Sequence, residues 1–179
     1  MSATHYLRRM FAFGSKRTLR YRVLTEVEIP RVLILDQCLS VLQRFFAPTV
    51  KCQHEGIVYL YGKTDGYETI ALGVYRPEAR TTPGSFHVSP LAMAKVVETV
   101  CDLGLQVIGQ IHSHPTVAEH SRGDEEGTRI AYDGFVSIVL PKYAADLPSL
   151  AGAAVYMFRQ GQFNELCHSS VSIIPGGME

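Results

Sequence analysis

The chain has 179 residues and zero formal net charge, with 17 Lys and Arg against 17 Asp and Glu. Hydrophobic residues make up 46% of it and charged residues 19%, which supplies a sizeable core and argues against a largely disordered chain. The length suits one domain and falls short of the ~250 residues of a TIM barrel. Overall neutrality leaves no basic surplus pointing to nucleic acid or to an anionic membrane.

The charge is unevenly spread. Residues 1–25 carry six basic side chains (Arg8, Arg9, Lys16, Arg17, Arg20 and Arg22) and no acid, leaving 11 basic against 17 acidic residues over the remainder. A basic, acid-free start has the composition of a transit peptide, but no amphipathic Arg stripe emerges. It reads instead as a solvated arm over 1–24, ahead of a domain over 25–179. There is no apolar signal-peptide core and no run approaching about 18 apolar residues that could span a bilayer. Cys38, Cys52, Cys101 and Cys167 lie far apart with no C-x-x-C pair. Cys38 and Cys101 fall within apolar helix faces, as reduced core residues of a cytoplasmic protein would.

In chain order, residues 21–29 read as extended. Pro30 suits the first turn of a helix to about Phe46, with Leu35, Leu39, Leu42 and Phe46 at helical spacing and Pro48 as its stop. Residues 56–62 (GIVYLYG) form a short β-rich run, Asp65-Gly66 a turn, and residues 68–75 the returning strand. Residues 79–86 are a loop. Ser89-Pro90 is an N-cap followed by Pro at the first helical position, opening a helix to about Leu103 that Gly104 ends. Residues 105–112 are a strand ended by Pro115, and a second helix start lies near Ser121–Asp124. Residues 135–140 and 153–158 are further strands, and Gln160-Gly161 turns the latter into a hairpin with 163–167. This order predicts a mixed α/β or α+β fold, a mixed sheet with helices packed on it.

The chemistry concentrates in residues 110–127, QIHSHPTVAEHSRGDEEG. Alternate side chains of a strand share a face, so His112 and His114 point the same way with their backbones about 6.5–7 Å apart and can converge on one cation. Asp124, ten residues beyond His114 at a helix start, is a candidate third ligand. Two His and one carboxylate with an open fourth position is a catalytic zinc arrangement. Ser121, three residues before Asp124, projects from the same side of a helical turn. Each half also has a plainer reading. H-x-H arises by chance, and Ser121-x-x-Asp124 is also a helix N-cap, with Glu125 and Glu126 at the positive end of the dipole. His120 reads as a loop residue beside the site rather than a ligand. There is no H-E-x-x-H, no P-C-x-x-C and no P-loop, and Cys167-His168 offers only sequence neighbours facing apart on a strand.

His112-Ser113-His114-Pro115 followed by Ser121-x-x-Asp124 resembles the JAMM signature of the MPN metalloprotease family. That signature also requires an upstream glutamate at the head of a strand ending in glycine seven residues later, and Glu55 followed by GIVYLYG to Gly62 matches. The resemblance covers roughly residues 25–175. One departure is a loop, 116–120, with five residues between Pro and Ser instead of six. The compact length, residues 120–125 and SIVLPKYA (137–144) are similar to bacterial members associated with ubiquitin-like conjugation systems.

The resemblance implies an MPN/JAB-like fold, a curved mixed sheet with helices packed on it and cytidine-deaminase-like layering. It implies one catalytic zinc ion held by His112, His114 and Asp124, with Glu55 as general base and then acid and Ser121 as a donor to the oxyanion. The implied reaction is hydrolysis of an isopeptide or peptide bond at the C-terminus of a ubiquitin-like protein, whose tail would bind by β-addition beside residues 79–86. Partners would be that tail and its conjugates, together with activating and conjugating enzymes encoded alongside. Small-amide hydrolysis on the same site and a non-catalytic MPN scaffold are the alternatives.

Overall fold

The computed structural model describes residues 30–121, 123, 124 and 130–177. The arm over 1–24 and the extended segment over 21–29 lie outside the described residues. An eight-stranded mixed sheet organises the rest. Strand β1 (Arg31–Leu35) leads into helix α1 (Asp36–Cys52), then β2 (Ile57–Thr64) and β3 (Glu68–Tyr75). A small hairpin follows, β4 (Ala79–Thr82) and β5 (Ser85–Val88), then helix α2 (Pro90–Asp102), β6 (Gln106–Ser113) and β7 (Val136–Leu140). Strands β8 (Ala154–Arg159), β9 (Gln162–Glu165) and β10 (Val171–Ile174) complete the chain. The strand order is β10-β1-β3-β2-β6-β7-β8-β9, and β4-β5 forms a separate two-stranded sheet. Pairing is parallel for β1 with β3 and β10 and for β6 with β7, and antiparallel for the other neighbours. Among the described residues no helix is long and apolar enough to cross a membrane.

The faces of β2 and β6, with a register shift between Leu60 and Tyr61 opposite residues 107–109, divide the core into two layers. Val58, Leu60, Ile108 and Ile111 pack with Leu42 and Phe46 of α1. Ile57, Tyr59 and Val107 pack with Met93, Val96 and Val100 of α2. His112 follows Ile111, so it faces away from α1, toward Phe86 of the hairpin, at a ring-centroid distance of 5.4 Å.

The helix expected from Pro30 is a strand up to Leu35. Val32 and Ile34 are fully buried at a spacing of two, and β3 and β10 pair with this segment on both sides. Its β-branched residues suit a pleated central position better than a helical first turn. Pro48 does not stop α1 but lies inside it. It sits on the exposed face, where the Arg44 carbonyl freed by the missing N–H meets solvent. The helix ends instead at Gln53, left-handed at φ 53°, whose N–H reaches the Val50 carbonyl at 3.1 Å.

Other expectations hold or shift. Ser89 caps α2 through its hydroxyl, which accepts from the Ala92 N–H at 3.1 Å. Residues 79–86, expected as a loop, are largely hairpin β4–β5. Strand β10 was not expected, because its four residues stabilise nothing until β1 lies beside them. Cys38 is buried as anticipated, but Cys101 is exposed on the outer face of α2. Cys167 precedes a 3₁₀ turn over His168–Ser170 rather than continuing a strand.

Candidate metal centre

The sheet brings the metal-ligand candidates to one place. His112 and His114 occupy the end of β6 and the residue beyond it, and the chain returns through 116–120 to deliver Asp124 between them. His112 Nε2 lies 3.3 Å from Asp124 Oδ1, and His114 Nε2 lies 3.3 Å from Asp124 Oδ2. One ligand atom from each residue falls within 4.8 Å of the others, a triad able to hold a metal ion. Among the described residues no other group of three His, Cys, Asp or Glu converges in this way.

The donor set suits a cation. His112 is fully buried, and beyond the 3.3 Å approach of its Nε2 to Asp124 Oδ1 its ring nitrogens have no partner among the described residues. A buried imidazole left in that state is costly unless something binds it. Burial pushes the His112 pKa below its usual value, the Asp124 carboxylate only partly opposing this, so the ring is held neutral as a ligand must be. Asp124 raises the pKa of His114 by its direct interaction, against partial burial. Burial alone would push the Asp124 carboxyl up, but His112, His114 and the Ser121 hydroxyl outweigh it and hold the group well below the usual carboxylate range.

Ser121 and Asp124 fulfil both readings of their spacing. The Asp124 N–H donates to Ser121 Oγ at 3.2 Å, while Asp124 Oδ2 accepts from the Ser121 N–H at 2.7 Å. This reciprocal pair caps a helix entry and at the same time fixes the carboxylate that faces the two imidazoles. The Ser121 hydroxyl also donates to Asp124 Oδ2 at 2.7 Å. His120 anchors the loop over 116–120 beside the site. The His120 N–H donates to the Tyr156 hydroxyl at 3.2 Å, and its ring packs 4.7 Å from Phe163 and 6.0 Å from His112. As expected, His120 lies beside the triad and not within it.

Glu55 lies at the head of β2, buried at 7% exposure. The left-handed end of α1 turns the chain back there, and the Glu55 N–H donates to the Thr82 carbonyl at 2.8 Å. Desolvation raises its carboxyl pKa, Asp124 adds to this and His114 opposes it. Glu55, Tyr59, Phe86, His114, Ser121 and Asp124 line one cleft of about 390 Å³. Four of the five residues singled out in the sequence line this cleft, and the fully buried His112 adjoins it through Asp124, 3.3 Å from its Nε2.

Sequence reasoning passed over Ser113. Alternation turns it away from the histidines, and there the fully buried hydroxyl accepts from the Gly56 N–H at 2.9 Å. The Ser113 N–H donates to the Gly56 carbonyl at 3.1 Å. The residue between the two histidines thus registers the head of β2, and with it Glu55, against β6. A serine at a buried strand position was the available signal.

No family model matches the chain, and no curated protein does either. Among solved structures, the chain is similar to protein DSY2949 from Desulfitobacterium hafniense, a structural genomics target solved in solution. The identity is 14% and the TM-score 0.62, over 80% of this chain and 93% of that one. At that identity the likeness bears on the mixed α/β fold alone.

Proposed function

We propose that the protein is a zinc-dependent peptidase or isopeptidase of the JAMM/MPN type, with the MPN fold, acting in the bacterial cytoplasm at the C-terminal bond of a ubiquitin-like protein. The observation that carries this reading is the convergence of His112, His114 and Asp124 within 4.8 Å, with Glu55 and Ser121 lining the same cleft. Two imidazoles and one carboxylate, His112, His114 and Asp124, are a donor set that would hold zinc as catalytic rather than structural sites do.

When bound, zinc supplies the Lewis acidity that lets water react near neutral pH. Glu55 is the carboxylate in the cleft that would take a proton from the attacking water. A carboxyl raised by burial is the better base for this task, and it can return the proton to the leaving amine. Asp124, gripped by the amide and hydroxyl of Ser121, keeps its charge toward the histidines. Ser121 has the second task of donating to the developing oxyanion, which requires its hydroxyl to rotate off Asp124. Tyr59 and Phe86 present apolar walls along the cleft, and the β4–β5 hairpin offers backbone for an extended tail.

The test uses Glu55→Gln, which keeps shape and hydrogen bonding but removes the base. Zinc content should stay at the wild-type level while single-turnover cleavage of a diglycine-linked substrate falls about 10²-fold or more. Normal turnover in zinc-loaded Glu55→Gln protein refutes the assignment. A panel including small amides separates protein-tail cleavage from small-amide hydrolysis.

A further inference from the structure

The turn after β7 takes a backbone path that L-residues avoid. Lys142, Tyr143 and Ala144 have φ of 53°, 56° and 70°, three successive non-glycine residues in the left-handed region. Such a path persists only where its surroundings hold it. Here Ala144 is buried in the α1-side core, and its N–H donates to the Pro141 carbonyl at 2.9 Å. The path leaves Tyr143 between two parts of the candidate site. Its N–H donates to the His114 carbonyl at 2.8 Å, and its hydroxyl donates to the Pro83 carbonyl at 3.1 Å, at the tip of the β4–β5 hairpin.

That hairpin has strands of four residues each. Two strands alone are marginal in water, so its position depends on tethers. Besides the packing of Ala79, Phe86 and Val88 on the α2-side core, the hairpin is held by the Glu55 N–H on Thr82, by His54 Nδ1 3.2 Å from Thr81 Oγ1, and by the Phe86 ring against His112. Tyr143 is the tether at the tip, where Gly84 and Ser85 line the cleft together with His114, Ser121 and Asp124.

We infer that Tyr143 is a positioning residue that pins the hairpin tip at a set distance from the His114 strand and so fixes the width of the cleft for an extended peptide. The tether stands by itself. Its consequence for substrate rests on the hydrolase reading above.

Tyr143→Phe tests it, since the variant keeps the ring, the backbone path and the N–H to His114. Amide hydrogen exchange on zinc-free protein should quicken about two- to tenfold over residues 79–88, the range expected for losing one hydrogen bond, with α2 and β7 unchanged. Zinc affinity should stay at the wild-type value. With zinc bound, KM for an extended diglycine-ended peptide should rise by a similar factor at unchanged kcat, and KM for a small acyl amide should not move. Unchanged exchange over 79–88 overturns the tether, and an equal change for both substrates overturns the positioning role. If the wild type cleaves neither substrate, the hydrolase reading fails, and the exchange arm still decides the tether.

Discussion

Replacing Gly56 by alanine adds one methyl group at the point where α1, β2 and β6 meet. A Cβ built there would lie 2.7 and 2.8 Å from Phe46 Cε1 and Cδ1 and 2.9 Å from Thr49 Oγ1. Neither neighbour can give way easily. Phe46 is 1% exposed, and the Thr49 hydroxyl is tied to the Phe46 carbonyl at 2.9 Å. Overpacking of this kind costs about 1–3 kcal/mol. Taking ~2 kcal/mol, the melting temperature should fall by about 4–8 °C for a domain of this size. The strand head must also shift, and Glu55 with it, so on the proposed hydrolase reading turnover should drop while zinc content stays at the wild-type level. Phe46→Leu removes the ring edge and should relieve the clash. In a double-mutant cycle followed by urea denaturation, the two changes should couple by about 1 kcal/mol or more. Strict additivity, or a Gly56→Ala melting temperature within about 1 °C of wild type, would refute the steric account.

Ser113→Ala strands the buried Gly56 N–H, so it should lower stability by about 1–3 kcal/mol in denaturant titration while zinc still binds. An unchanged midpoint would show that the amide finds another acceptor. Ser121→Ala removes the hydroxyl, one of the two groups that hold Asp124, and on the proposed reading should weaken zinc about 10-fold or more in competition with a chelator. Wild-type affinity there would mean the carboxylate needs no support. Burial, with Asp36 adding to it, pushes the Cys38 thiol up to about 11. Maleimide labelling of native protein should therefore modify Cys52, Cys101 and Cys167 and spare Cys38 until denaturant is added. Labelling of Cys38 at the rate of the other three would contradict its place in the core.

The local signals that the sequence carried by itself were those complete within a few residues. Asp65-Gly66 turns β2 into β3, Ser89-Pro90 opens α2, and the two-residue spacing of His112 and His114 sets both on one strand face. Capping and pleat alternation act over one to three residues, so they survive without knowledge of the fold. The same holds for Ser121 and Asp124, whose spacing is that of the reciprocal cap found here. Everything that depended on a distant partner was decided by the tertiary structure. Residues 31–35 could follow helical spacing from Pro30, and only β3 and β10 on either side made them a strand. Strand β10 has no stability until β1 is beside it, and Pro48 is tolerated because its side of α1 faces water. The distance from Glu55 to the histidines was likewise unreadable in a separation of 57 residues along the chain from His112. It is set where β2 pairs antiparallel with β6, Ile57 opposite His112, and where Ser113 holds the Gly56 backbone. A hydrogen bond between residues far apart in sequence leaves no periodicity behind. For that reason the chemical groups could be named from the chain, while the cleft that brings them together belongs to the folded sheet.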